Sequence, residues 1–199
     1  MIIKSQTILI CENIDIRLPE IQQQIQLIER SIVSTCWPPE NDHFAINTKK
    51  NDNGVKPIKT ACMRNLSLNN WKLEFKIDLG ATQKRPGPVD AAIETSFGYL
   101  ALEWETGNIS SSHRSLNRLA LGLYYKKLIG GFLLLPSTDL YYYLTDRVGN
   151  YSEIEPYFPI WKNLKIEKGF IIVYEMEYDK LDPSLPSIPK GRDGMSKKK

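Results

Sequence analysis

The spacing of apolar residues changes several times along the chain, and each change predicts an element. From Pro19, the residues Ile21, Ile25, Ile28 and Ile32 recur at helical spacing with Glu and Gln between them. Proline suits a first helical turn, so this stretch reads as an amphipathic helix packed on the core. Trp37-Pro38-Pro39 ends it, since proline cannot continue a helix and restricts the residue before it. The polar segment 40–54 reads as loop. Pro57 opens a second helix with Ile58, Ala61, Cys62 and Leu66 on one side, and 71–77 alternates loosely as a strand carrying Glu74. Residues 1–17 show no clear period and read as irregular or strand.

Further along, a proline- and glycine-containing loop, 83–88, leads into two runs, 89–94 and 99–105, joined around Thr95, Ser96, Phe97 and Gly98. They predict an antiparallel hairpin. A turn centred between Ser96 and Phe97 sets Asp90 directly across from Glu103. Alternation along the strand then gives Glu103 and Glu105 one face and Leu102 and Trp104 the other. Ser110 or Ser111 is a natural cap for the next helix, which continues through Leu116, Leu119, Leu123 and as far as Lys127. A second apolar face on it, with Ala120, Tyr124 and Tyr125, predicts deep burial or a subunit contact. Segments 129–135 and 169–174 read as buried strands, and 139–144 and 152–158 as short helices. Strands alternating with helices give an α/β fold with a central mixed sheet flanked by helices on both faces.

The chemistry gathers on the hairpin and the run after it. Asp90, Glu103 and Glu105 fall in otherwise apolar strands, where like charges repel and raise one another's pKa unless a cation sits among them. Solvated strand acids are the plain alternative. Oxygen ligands without paired histidines or a CxxC favour a hard ion such as magnesium. Asn108, Ser110, Arg114, Asp146 and Arg147 match the base-edge code, in which Arg pairs with guanine, Asn with adenine, and Asp accepts from cytosine. Lys59 reads as a solvated lysine unless its helix start faces the site, where it would meet a phosphate. His113 fits helix-start packing as well as a phosphate contact.

Composition narrows the class. A net charge of +3 proves nothing about nucleic acid, though it can hide a basic face balanced by an acidic site. Three cysteines without metal-binding spacing argue for a reducing cytoplasm. No signal peptide or membrane-length apolar run is present. The 199 residues fit one domain, with 182–199 expected to be a flexible tail, either simply disordered or a DNA-contacting arm.

A longer set of motifs adds a resemblance. The run Leu102-Glu103-Trp104-Glu105-Thr106-Gly107-Asn108-Ile109-Ser110-Ser111-Ser112-His113-Arg114, with Asp90, Tyr143-Leu144-Thr145-Asp146-Arg147, Glu155-Pro156-Tyr157-Phe158 and Ile188-Pro189-Lys190-Gly191-Arg192-Asp193-Gly194-Met195, resembles the BamHI family of type II restriction endonucleases. Trp37-Pro38, Asn53-Gly54 and Pro57-Ile58-Lys59 match as well, so the likeness covers roughly residues 36–199.

The resemblance implies a homodimer that cuts palindromic double-stranded DNA at GGATCC and leaves 5′ overhangs. It also implies a partner methyltransferase in the same restriction-modification system. Asp90, Glu103 and Glu105 would be the catalytic carboxylates and, with the Trp104 carbonyl, the ligands of magnesium, two ions per site. Glu74 aligns with a fourth acid if one residue is deleted before Asp90. Asn108, Ser110, Arg114, Asp146 and Arg147 would read bases, Lys59 would meet a phosphate, and Asp193 and Met195 would reach the minor groove. The wider PD-(D/E)XK class carries lysine where this chain has Glu105, which leaves Glu105 to orient or deprotonate water or to bind a second ion. Relative to the family pattern a further C-terminal helix is missing, so residues 190–199 are expected to fold only onto DNA. Two other readings remain. A DNA-binding protein that does not cut should have lost a carboxylate, and a low-specificity nuclease has no need of the Asp146-Arg147 pair.

Overall fold

The first strand, β1 (Ile2–Glu12), forms one edge of a six-stranded sheet and pairs antiparallel with β7 (Gly169–Glu177). The computed structural model describes residues 1–78, 87–105, 107–145 and 147–190. Burial in β1 alternates from Ile2 to Ile8 and breaks at the register shift between Ile8 and Ile10, where Leu9 and Ile10 are buried in succession. Within the alternating part Ile2 and Ile8 are exposed while Ser5 and Thr7 are half-buried, so residue type does not follow burial and residues 1–17 carried no readable pattern.

From the β1 edge the sheet runs through β7, β6 (Gly130–Pro136), β5 (Gly98–Trp104), β4 (Val89–Thr95) and β3 (Lys72–Phe75). Strands β5, β6 and β7 are parallel, and β3, β4 and β5 antiparallel. The sheet is therefore mixed, as expected. β5 returns to β6 through helix α3 (Ile109–Tyr124), because parallel neighbours need a crossover.

Each face of the sheet carries its own apolar cluster. On one lie α1 (Pro19–Val33), α2 (Lys56–Leu68) and α4 (Thr138–Tyr143). On the other lie α3, α5 (Tyr151–Ile154) and α6 (Phe158–Lys162), the last two joined by a 3₁₀ turn at Glu155–Tyr157. Ile21, Ile25, Ile28 and Ile32 are all buried, so the helical spacing in α1 reports its packed stripe. α1 ends at Val33, before the proline pair. In α2 the buried set is Ile58, Cys62, Met63 and Leu66; Ala61 faces solvent. The expected loop 40–54 contains a two-residue strand, β2 (Ala45–Ile46), paired with β8 (Lys180–Leu181).

The segment 182–190 is not loose. Asn53, fully buried, ties it down: the Ile188 N–H donates to Asn53 Oδ1 at 3.0 Å, and Asn53 Nδ2 donates to the carbonyls of Asn47 and Tyr143, both at 3.0 Å. The Asn53 carbonyl accepts from the Thr145 N–H at 2.7 Å, directly before the Asp146-Arg147 pair. Gly54 permits this approach, since a Cβ there would stand 2.1 Å from the Pro189 carbonyl oxygen. The expected flexible tail is therefore docked as far as Lys190, while its remainder, with Asp193 and Met195, lies outside the described residues. Asn53→Ala leaves several buried groups without partners and is expected to lower stability by about 2–4 kcal/mol, measured by urea unfolding.

Candidate active site

The β4–β5 hairpin has the register inferred from its turn. Ala91 pairs with Leu102, Ala92 with Ala101 and Thr95 with Gly98, which leaves Asp90 level with Glu103. Leu102 and Trp104 pack into one apolar cluster, and Ala101, two residues before Glu103, into the other. On the far side of β4, Leu73 pairs with Ala91 and Phe75 with Val89, so Glu74 lies level with Asp90. Glu74 itself is exposed and holds a left-handed backbone, φ 46°.

Each carboxylate in this row has its own partner. Lys59, reaching inward from α2, places Nζ 2.5 Å from Asp90 Oδ1, and the Trp104 N–H donates to Asp90 Oδ2 at 2.7 Å. Lys59 is thus not on an exposed turn; its helix start faces the site. Glu105 accepts from the Gly107 N–H at 2.7 Å and from the Ser115 hydroxyl at 3.1 Å. Arg118 Nη1 stands 3.0 Å from Glu103 Oε1, off the line of a hydrogen bond, so that buried oxygen accepts none. Burial, and then the neighbouring charge of Asp90, push the Glu103 carboxyl up to about 8, against the pull of Arg118.

The expected convergence is only partly realised. The acids share one region of the sheet, but among the described residues no three Asp, Glu, His or Cys side chains stand close enough to hold one ion together. The reason lies in the partners: Lys59 draws Asp90 its way, α3 holds Glu105, and Arg118 lies against Glu103. A divalent cation still fits this donor set. Glu103 Oε1 is a buried acceptor without a hydrogen-bond donor, the kind of oxygen that a bound cation would satisfy.

Helix α3 begins at the next turn of chain. Its cap is Asn108, whose side chain accepts from the Ser111 N–H, rather than Ser110 or Ser111 themselves. Ser110 and Arg114 are exposed on its first turns, and Arg114 Nη2 donates to Ser111 Oγ at 3.3 Å. His113 packs against Tyr157 and Trp161, with ring centroids at 4.7 and 5.5 Å. Arg147 is exposed with φ 73°, and Asp146 lies outside the described residues. The segment after Arg147 is fastened to the helix start: the Gly149 N–H donates to the Gly107 carbonyl at 2.7 Å, and a Cβ on Gly149 would stand 2.5 Å from Ser112 Oγ. The second apolar face, expected to be deeply buried or shared with another subunit, divides: Ala120 is buried in the core, while Tyr124 and Tyr125 at the far end of α3 are exposed. The helix stops at Tyr124, short of Lys127.

Two residues absent from the sequence-based set touch the acids: Ser115 and Arg118. Their signal was present in the helical spacing of Ser111, Ser115 and Arg118, a polar line beside the apolar stripe of Leu116, Leu119 and Leu123.

A mixed sheet with acids on a hairpin that runs straight into a polar helix start defines a nuclease-like α/β fold. The structure of the restriction endonuclease BglII complexed with a DNA 16-mer superposes with a TM-score of 0.60 at 11% identity, covering 82% of this chain and 73% of that one. At that identity the likeness speaks for the fold alone. Sequence comparison is more specific. The model of the family Restriction endonuclease BamHI matches residues 1–195, so the likeness extends through the N-terminal strand and helix. The type II restriction enzyme OkrAI of Oceanobacter kriegii is 45% identical over 177 residues, 89% of this chain and 91% of that protein. The type II restriction enzyme BamHI of Bacillus amyloliquefaciens is 41% identical over 185 residues, 89% of this chain and 84% of that protein. The chain belongs to the BamHI family of restriction endonucleases.

Proposed function

We propose that this chain is a magnesium-dependent type II site-specific deoxyribonuclease that cuts palindromic double-stranded DNA, GGATCC, leaving 5′ overhangs. The observation that carries the reading is the path of the chain. The strand bearing Glu103 and Glu105 passes through two residues into the helix start bearing Asn108, Ser110 and Arg114. Every acid of the family pattern is retained, which disfavours a homologue that only binds.

Asp90 and Glu103 would hold the first ion and Glu105, with the Trp104 carbonyl, would complete the ligand set for two; Glu74, level with Asp90, is a further acid within the same row. Bound divalent ions supply Lewis-acid polarisation of the phosphate and neutralise the leaving oxygen. The remaining work belongs to the side chains. Glu105, fixed by Ser115 and the Gly107 N–H, orients the attacking water and takes its proton. Lys59, presently on Asp90, is exchanged onto a DNA phosphate when a cation takes its place.

Asn108, Ser110, Arg114, Asp146 and Arg147 read bases, with Asp193 and Met195 reaching the minor groove. Asn108 also caps α3, so its carboxamide oxygen is engaged with the helix and its amide is the group left for a base. Two copies assemble through α3, whose exposed Tyr124 and Tyr125 offer an apolar, hydrogen-bonding contact. A palindromic site calls for such a two-fold arrangement. The enzyme works in the cytoplasm beside a cognate methyltransferase that protects host DNA. Among the described residues no helix is long and apolar enough to cross a membrane.

The test is digestion of a mapped plasmid with magnesium and then with calcium. Fragments ending at GGATCC in magnesium, and binding without cutting in calcium, are expected. Random fragmentation, or no cutting in magnesium, would overturn the proposal.

A further inference from the structure

Glu103 in β5 and Glu105 just after it are both touched by side chains of the helix whose first turns carry the proposed base-reading residues. Ser115 Oγ donates to Glu105 Oε2 at 3.1 Å. Arg118 Nη1 lies 3.0 Å from Glu103 Oε1, and its Nη2 donates to the Gly87 carbonyl at 2.6 Å, just ahead of Asp90. One guanidinium therefore joins three places: α3, the middle of the acidic hairpin, and the chain that leads into β4. Its planar fork suits such bridging better than a lysine ammonium. The Arg118 side chain is only 18% exposed, Glu103 and Ser115 are buried, and so the contacts to the two acids are enclosed, while the one to the Gly87 carbonyl lies at the surface.

Arg114 and Arg118 stand one turn apart on α3, the first outward toward solvent, the second inward toward the acids. Over so short a span a helix moves as a unit. A shift that seats Asn108, Ser110 and Arg114 on the correct bases carries Ser115 and Arg118 with it. Hydrogen bonds weaken steeply with distance and angle, so displacing these donors changes where Glu103 and Glu105 are held. The off-line approach of Arg118 to Glu103 is a contact with room to improve on such a movement.

We infer that Arg118 and Ser115 are positioning residues that make the geometry of the β5 carboxylates depend on how α3 sits on DNA, and so set discrimination in cleavage rather than in binding. The inference rests on the nuclease reading above. It accounts for how a near-correct sequence can be bound yet cut slowly: the readers are displaced, and the acids are displaced with them. With the clamp removed, Glu103 and Glu105 lose their side-chain contacts with Arg118 and Ser115 of the helix, while the Gly107 N–H still holds Glu105.

The test uses the full-length enzyme on the site mapped for the wild type and on sites changed at one base pair. Affinity is measured in calcium and single-turnover cleavage in magnesium. Arg118→Met is expected to slow cleavage of the correct site by about 10- to 100-fold, to slow the altered sites less, and to change calcium-supported affinity by less than about threefold. The ratio of correct to altered cleavage then falls at least about fivefold, and Arg118→Lys recovers part of the lost rate. Ser115→Ala, which removes one hydroxyl, should lower the same ratio in a smaller step and serves if Arg118→Met does not fold. Equal slowing at correct and altered sites, or an unchanged ratio in both variants, would overturn the inference while leaving the nuclease reading intact. A wild type that cuts no site would instead remove the reading on which the inference rests.

Discussion

Glu105→Ala is expected to bind its DNA site in calcium as the wild type does and to cut it in magnesium at least about 1,000-fold more slowly. Glu105 follows directly on β5 and is only 8% exposed, and its carboxylate accepts from the Gly107 N–H and the Ser115 hydroxyl. Those contacts fix the orientation of the carboxylate. The wider nuclease class places a lysine here, whose ammonium cannot accept a proton. An acid at this position is suited to orienting and deprotonating the nucleophile. Alanine also strands two donors, a stability loss of about 1–3 kcal/mol, so unfolding and calcium-dependent binding must be measured beside activity. Glu105→Gln keeps the shape and one acceptor oxygen and should bind and fold normally while still failing to cut. Wild-type cleavage in either variant would sink the assignment.

How much of this was readable from the chain depended on sequence separation. The hairpin register was legible because a single tight turn fixes it, and every pair from Ala91 with Leu102 to Thr95 with Gly98 follows from that turn. The isoleucines of α1 were legible because one buried stripe repeats for four turns. The partners of the acids were not, because they arrive from far along the chain. Lys59 comes from α2 and Arg118 from α3; the polar line of Ser111, Ser115 and Arg118 is visible in the spacing of α3, but spacing within one helix does not record that it meets the same hairpin as Lys59.

The ordered segment 182–190 was hidden for a related reason. Its proline- and serine-rich composition is that of a loose tail, and what fixes it is a distant stretch of chain, with Asn47, Asp52, Asn53 and Gly54 all bonded to it. The helix cap fell to Asn108 instead of a serine because the chain turns directly out of β5, two residues after Glu105, and Asn108 is the first side chain able to reach the free N–H of Ser111.

The raised carboxyl of Glu103 has a thermodynamic consequence that can be measured without DNA. In the absence of divalent ions, stability is expected to fall as pH rises from about 4.5 to about 8. The folded protein keeps a proton on Glu103 through that interval, while the unfolded chain has already released it. The unfolded state then binds fewer protons, so the free energy of unfolding declines with rising pH, by up to about 1.4 kcal/mol per pH unit from this group. Burial is the main cause and the charge of Asp90 the next; Glu105 adds to it and Arg118 opposes it. Urea unfolding in chelator at pH 5, 6, 7 and 8 should show the decline in the wild type. Glu103→Gln should remove this part of the slope and be more stable than the wild type at pH 8, since it replaces a buried charge by a neutral group of the same shape. Calcium should reverse the trend in the wild type only: it binds the ionised carboxylate, so its stabilising effect grows with pH over the same interval. Parallel slopes in the wild type and Glu103→Gln would refute the assignment of the proton to Glu103.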